Sequence, residues 1–467
     1  MRYSIFRVIM TACTCLVAAS ATVAAGAAVQ PITRASCAVV PTFADGRNPV
    51  RELHVAPPPR GDNTTGDGSA GRPYATIQFA AARAAPGTSV RVHAGVYDGG
   101  VSLSDVHGRA DAPIWIGAFD PRDRPVIDGG GTGLHLVRAR YVVLHDLEVR
   151  NATGNGVNSD DGGEYANADA AHHQVFRSLL IHTIGGDGNQ DGLKLSGIRH
   201  FVVDNCEIAR CGGAMSGSGI DMVGCHHGVI ARSTLHDLSG SGVQAKGGTS
   251  DVEIRWCRMT SAGERALNIG GSTGFQFFRP PLSPDVPNVE ARDIRAYANV
   301  IVGSSTPVAF VGAVECRFSH NTVVNPRTWL MRILQETTST PDFDFLPCSD
   351  NMVSSNIMYF ERGAIRTHLN IGGGTLPATF SFANNLWFAH DNPAASQPAL
   401  PAPETDGIVG EDPLLLNPAT GRYSIRVGSP AAGRARVPVP LAGDASGRCY
   451  LAPPAIGAFE VPAPSLK

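Results

Sequence analysis

Residues 192–246 carry one pattern three times: Gly192-Leu193-Lys194-Leu195-Ser196, Gly219-Ile220-Asp221-Met222-Val223 and Gly242-Val243-Gln244-Ala245-Lys246. In an extended strand, residues two apart share a face. Each copy therefore sends its apolar pair one way and the residue between them the other. The same reading fits Gly133-Leu134-His135-Leu136-Val137 and Gly156-Val157-Asn158-Ser159-Asp160 upstream, and Ala266-Leu267-Asn268-Ile269-Gly270 downstream. The glycines at 133, 156, 192, 219 and 242 are spaced by 23, 36, 27 and 23 residues. A second strand follows each copy, as in VFRSLLI (175–181), VVDNCEI (202–208), VIARSTL (229–235) and VEIRWCRM (252–259). It recurs as far as FSFANNLWF (380–388). Constant strands with spacers of unequal length describe coils that carry loops on one corner. A repeat that buries its apolar face only against its neighbours is a solenoid.

The expected fold is therefore all-β: a single right-handed parallel β-helix. Leu193, Leu195, Ile220, Met222, Val243, Ala245, Leu267 and Ile269 should stack in its core. Asn205, Asn299, Asn321, Asn356 and Asn385 fall near turns and are expected to form a stacked amide ladder. An amphipathic stretch, Thr76 to Ala85, is placed to cap the N-terminal end as a helix.

The bulk composition agrees. Gly 53 and Pro 33 in 467 residues suit many tight corners, with charged residues at 17% and a formal net charge of -3. No basic excess marks a nucleic-acid partner. Arg2 and Arg7 precede an apolar run from Val8 to Ala25 and small residues at 24–28. That is the form of a signal peptide over 1–28, leaving 29–467 as the β-helix domain. No later run reaches the roughly 20 apolar residues of a membrane span. A secreted or periplasmic monomer is expected. Of the cysteines beyond the signal, Cys316 with Cys348 and Cys37 with Cys449 are the candidate bridges in an oxidising compartment.

Function belongs on the outward columns. One runs His135, Asn158, Lys194, Asp221, Gln244, Asn268; the next runs Val137, Asp160, Ser196, Val223, Lys246, Gly270. Lys246 gathers Gln244, Asn268 and Arg265 around it, with Arg279 and then Arg332 and Gln335 following. Cations beside amides suit a carboxylate-bearing sugar. Elimination across a uronic acid needs a neutralised carboxylate, a base for the C5 proton and protonation of the leaving oxygen. A lysine can be that base. Lys246 is the candidate base and Arg265 its catalytic partner; Gln244, Asn268, Arg279, Arg332 and Lys194 are candidate substrate contacts. Asp160, Asp161, Asp187, Asp191 and Asp221 form an acidic group, read either as turn chemistry or, through Asp160, Asp191 and Asp221, as hard oxygen ligands for Ca²⁺. Long corner excursions at 158–173, 270–293 and 335–350 sit near these coils and could wall a groove.

A family resemblance supports this picture. The stretch PYATIQFAAARAAPGTSVRVHAGVYDGG (73–100) resembles the opening of pectin-lyase-like β-helix proteins, where a helix caps the first coil. DPLLLNPATGRYSIRVGSPAAGRA (412–435) and IGAFE (456–460) resemble the closing coils of secreted members. Lys246 with Arg265 resembles the Lys and Arg pair of β-helix alginate and chondroitin-type lyases, although Gln244 stands where those carry acidic calcium ligands. DGLKLSG (191–197) resembles a segment of a calcium-dependent pectate lyase family, which makes Lys194 a rival base. The resemblance implies a lyase acting on an acidic polysaccharide. Asn158-Ser159-Asp160-Asp161-Gly162 is similar to a motif of polygalacturonase-type hydrolases, so a hydrolase or a non-catalytic glycan-binding β-helix stand as alternatives.

Overall fold

The computed structural model describes residues 37–186, 189–213, 216–437 and 442–462. The expected signal peptide and Asp187 lie outside the described residues. The described chain winds through three long sheets of 10, 14 and 12 strands. A typical coil contributes Ser241–Lys246 to the first, Thr249–Arg255 to the second and Arg258–Ala262 to the third. Successive coils pair in parallel, in register, residue for residue. Among the described strands only Leu415–Asn417 and Arg422–Ile425 pair antiparallel.

The repeat pattern thus contains one more strand than the sequence suggests. What reads as a single second strand is two strands broken at a sharp corner, where Ser178, Asn205, Arg232, Trp256 and Ala298 all take positive φ. None is glycine, so no residue type marks the bend, although such a backbone is uncommon for these side chains. The other corner is conventional. Gly197, Gly224 and Gly247 turn the chain out of the first sheet at φ between 60° and 70°.

The eight expected core residues are all but sealed from solvent and stack in register through the coils. Burying an aliphatic side chain of this kind contributes about 1.5–3 kcal/mol, so the stack itself is the main stabilising element. The amide ladder runs from Asn299 to Asn321, Asn356 and Asn385, each of the last three accepting from the backbone and side chain of the asparagine one coil before it. It ends on Glu404. Asn205 is not a rung: it stands one residue early, at the exposed corner, and bonds Ser178, while Cys206 occupies the inward position.

The capping helix is shorter than expected, Ile77–Ala81, with Thr76 as N-cap. Arg83 and Ala84 already bond three residues back, to Ala80 and Ala81, which tightens and ends the helix. Ile77, Ala80 and Ala81 join the core at that end. The segments 412–435 and 456–460 do not close the far end of the stack. Leu415, Tyr423, Ile425 and Ile456 instead lie over Val300, Val324, Ile357 and Leu386, on the outward face of the third sheet. Cys37 and Cys449 are disulfide-bonded, whereas Cys316 and Cys348 are buried free thiols. Stacked coils bring many side chains near one another without aiming them for a bond. No described helix is long and apolar enough to cross a membrane.

Candidate active site

The first sheet presents an outward column in register: His135, Asn158, Lys194, Asp221, Gln244, Asn268, Ala309, Arg332 and Asn370. Beside it runs Val137, Asp160, Ser196, Val223 and Lys246. Neighbouring strands lie about 4.8 Å apart, so chemistry that is remote in sequence becomes adjacent.

Beneath the middle of this face sits a buried charge cluster. Lys194 bonds Asp221 and lies 3.3 Å from Asp191. Lys246 approaches the same Asp221 oxygen at 3.5 Å. Both aspartates are sealed from solvent. Burial would lower the Lys194 pKa, but Asp221 and Asp191 outweigh it and hold the ammonium above its ordinary value. Burial would raise Asp221, and the two lysines outweigh that and hold it ionised. Asp191 is pushed up to about 6, by burial first and by the neighbouring Asp221 second. Two carboxylates beside one close lysine cannot both be fully compensated.

Loops build walls over this face. The loop 272–281 is pinned by an aromatic cluster of Phe275 and Phe278 with Phe343 and Phe345. Arg279 fastens it to the next loop, donating from Nε and Nη2 to Asp161 at 2.6 and 3.2 Å, with the Tyr165 ring 4.1 Å from the guanidinium carbon. Buried Glu290 accepts from the backbone of Gly247 and Thr273 and from the hydroxyls of Thr273 and Thr337. That one carboxylate therefore fixes the turn after Lys246 to two loops. Between the walls lie two cavities. One of about 640 Å³ is lined by His135, Asp160, Tyr165, Lys194, Phe277 and others. A second of about 500 Å³ is lined by Gln244, Glu264, Arg265, Asn268, Arg332 and Glu336 among others. Asn189, Lys246 and Ser272 line both, so the cavities form one groove with Lys246 at the junction.

Comparison with known proteins bears on the fold. A family model for the right-handed β-helix region matches residues 125–278. The crystal structure of pectate lyase Pel9A superposes with a TM-score of 0.56 at 14% identity, covering 89% of this chain and 98% of that one. The chain is a right-handed parallel β-helix. An alginate lyase from Paenibacillus sp. str. FPU-7 gives a TM-score of 0.45 at 16% identity, covering 70% of this β-helix and 99% of its own chain. The GH136 lacto-N-biosidase from Eubacterium ramulus gives 0.48 at 13%, covering 77% and 68%. No curated protein matches. Identities this low speak to the β-helix and not to its reaction.

On this β-helix, the residues singled out from the sequence separate into three groups. Lys246, Gln244, Arg265, Asn268 and Arg332 meet in the second cavity. Arg265 bonds Asn268 at 3.1 Å and Glu336 at 2.7 Å, and Arg332 bonds Asn370 at 2.9 Å. Burial, then the nearby Arg265, lowers the Arg332 pKa. Lys194 and Arg279 border the first cavity, but each is committed to buried carboxylates, and Arg279 Nη1 also donates to Phe277. Arg279 is thus a loop clamp, not a free groove cation. Gln335 is likewise spent, bonding Thr337 and Cys348 within its own loop.

The aspartate trio does not assemble as a calcium site. Asp160 is held by His135 at 2.6 Å and by Asn158 at 2.8 Å, while Asp191 and Asp221 are occupied by the lysines. Among the described residues no group of three or more His, Cys, Asp or Glu side chains is arranged to hold a metal. His320, in an outward histidine set that the sequence also offers for the groove, lies elsewhere. It is fully buried against Tyr450, and burial lowers it to about 3.

Sequence reasoning missed His135 as the partner of Asp160, Tyr165 and Phe277 on the groove wall, and Glu336 against Arg265. His135 was visible as the start of the outward column. The other three sit on excursions whose paths no period predicts.

Proposed function

We propose that this β-helix is an exported, monomeric polysaccharide lyase that cleaves a uronic-acid-containing polysaccharide by β-elimination. The position of Lys246, where the two cavities join with Arg265 and Arg332 on the same wall, carries this reading. In the proposed step Lys246 Nζ takes the C5 proton, the C5–H electrons form the C4–C5 double bond, and the C4–O bond breaks with its electrons on the leaving oxygen. Arg265 and Arg332 neutralise the uronate carboxylate, which is what makes the C5 proton removable. Arg265 also stabilises the leaving oxygen, which takes its proton from solvent as it departs. Lys194 meets Asp221 in closer contact than Lys246 does, so Lys246 is the more weakly held of the two. No step is routed through calcium, because its three candidate ligands are already engaged.

The test is the ultraviolet absorbance of an unsaturated uronate released from alginate, pectate, chondroitin or glucuronan. Lys246→Ala should lower it by about 10²–10⁴-fold, the usual worth of a positioned base. Full absorbance from that variant removes Lys246 from the role. Activity that EDTA abolishes and calcium restores would put a metal into the step. A hydrolase remains the second reading because Glu264 and Glu336 line the same cavity, and two carboxylates suffice for hydrolysis. It would give reducing ends without absorbance, and a purely glycan-binding protein would give neither.

A further inference from the structure

The two cavities that meet at Lys246 differ in what they offer a sugar. In the second, Arg265 and Arg332 face the groove beside Lys246, with Glu264 and Glu336 as the opposing charges. The Arg332 contacts are an amide, Asn370, and the Trp329 ring. A carboxylate entering here finds Arg332, held by neutral groups, next to Arg265, which Glu336 holds at 2.7 Å and would have to share.

In the first cavity the cations other than Lys246 are Lys194 and Arg279, and each is matched to buried aspartates. The group that faces the space is Asp160, whose burial would raise it but whose bonds from His135, the Gly162 amide and Asn158 outweigh burial and keep it ionised. A second carboxylate brought here would meet the fixed negative charge of Asp160, with no cation to offset it beyond Lys246, which stands at the junction beside the first uronate. Apart from His135 and the Asp161 carboxylate held by Arg279, the rest of the lining is uncharged: Val137 and Val223 on the floor, Asn189, Ser196 and Ser272 as partners for sugar hydroxyls, and the rings of Tyr165 and Phe277. Phe277 stays 46% exposed although its neighbours Phe275 and Phe278 pack against Phe345. Large exposed rings on a concave wall supply apolar contact area at little conformational cost. The C–H face of a pyranose is a matching surface.

We propose that the groove takes a heteropolymer, with a uronate in the Arg265 and Arg332 cavity and an uncharged sugar in the cavity of His135, Asp160, Tyr165 and Phe277. The assignment of the uronate rests on the lyase reading above; the exclusion of a second uronate rests on Asp160 and the matched cations. Four coil steps of about 4.8 Å separate His135 from Gln244, roughly 19 Å. The two preferences therefore act on different sugars of one bound chain.

The test uses the full chain with Lys246→Ala, so that binding is measured without turnover. Calorimetric titrations compare size-matched oligogalacturonate and unsulfated chondroitin oligosaccharides, in which a uronate alternates with an uncharged acetamido sugar. The alternating oligomer should bind at least about tenfold more tightly. Adding Phe277→Ala should cost it about tenfold in Kd and leave oligogalacturonate nearly unchanged. Adding Asp160→Asn should tighten oligogalacturonate and narrow the gap. Equal or tighter binding of oligogalacturonate, a preference indifferent to both substitutions, or binding of neither oligomer overturns the proposal. The lyase reading fails separately: if wild type binds the alternating oligomer with this preference yet releases no absorbing product, the elimination is wrong and the subsite assignment stands.

Discussion

Lys194 and Lys246 both reach the same oxygen of Asp221, yet their surroundings give them different work. Lys194 compensates two sealed carboxylates, so Lys194→Met leaves buried charge without a partner and should cost about 3–5 kcal/mol, read from chemical denaturation. Lys246→Met leaves Asp221 with Lys194 and should cost clearly less while abolishing turnover. A stable, inactive Lys194 variant beside an active Lys246 variant would exchange the two roles. The cluster also carries a pH signature. The folded Asp191 carboxyl is raised to about 6 from an ordinary 3.8, so its contribution to stability is fully present below the unfolded value and is lost as pH rises through about 6. Asp221, held low, has the opposite sign. The melting temperature should therefore show a falling limb between about pH 4 and 6, and Asp191→Asn should flatten it; a limb unchanged by that substitution assigns the slope elsewhere. The outward columns, and hence Lys194, Asp221, Gln244 and Lys246 as neighbours, were legible in the sequence because a period of two and the glycine markers fix register. Which ammonium takes Asp221 was not, since that depends on rotamers meeting across coils.

At the scale of elements, the groove owes its walls to excursions and its floor to the repeat. The repeat was readable because its glycines and apolar pairs recur. The third strand of each coil was hidden by corner residues such as Arg232 and Trp256, which nothing in their type marks as bends. The loop 272–281 was legible as a long insertion, but its anchorage through Arg279 to Asp161 spans most of the site and follows no local rule. The amide ladder shows the opposite case, with four of its five expected rungs in place because Asn recurs at one phase of consecutive coils. Asn321 accepts from Asn299 and donates to Asn356 and to the Ala296 carbonyl. Asn321→Ala would orphan groups on two coils, so a loss of at least about 2 kcal/mol is expected, measured by urea unfolding. A change below about 0.5 kcal/mol would mean that the ladder is a consequence of the stack and not a support for it.

For the whole molecule, the outer faces of the second and third sheets carry apolar side chains that a free-standing solenoid would expose. The chain covers them with its own ends. Ala38 and Val40 pack with Ala231, Trp256 and Tyr297, and Ala44 with Val143 and Val175. The indole of Trp256 donates to the Gly443 carbonyl at 2.8 Å, and Leu415, Tyr423, Ile425 and Ile456 cover the third sheet. The Cys37–Cys449 bond, spanning 412 residues, joins these two covers. Both lie over sheets other than the one bearing the groove. Replacing both cysteines with serine should therefore cost about 2–5 kcal/mol and expose residues 37–45 to proteolysis well below the melting temperature. Turnover in the cold should be unchanged, because the strap touches no groove residue. Unaltered protease resistance would show that apolar contact alone holds the covers down. Lost turnover at full stability would mean instead that the ends position the active face, and the separation of cover from groove would have to be abandoned.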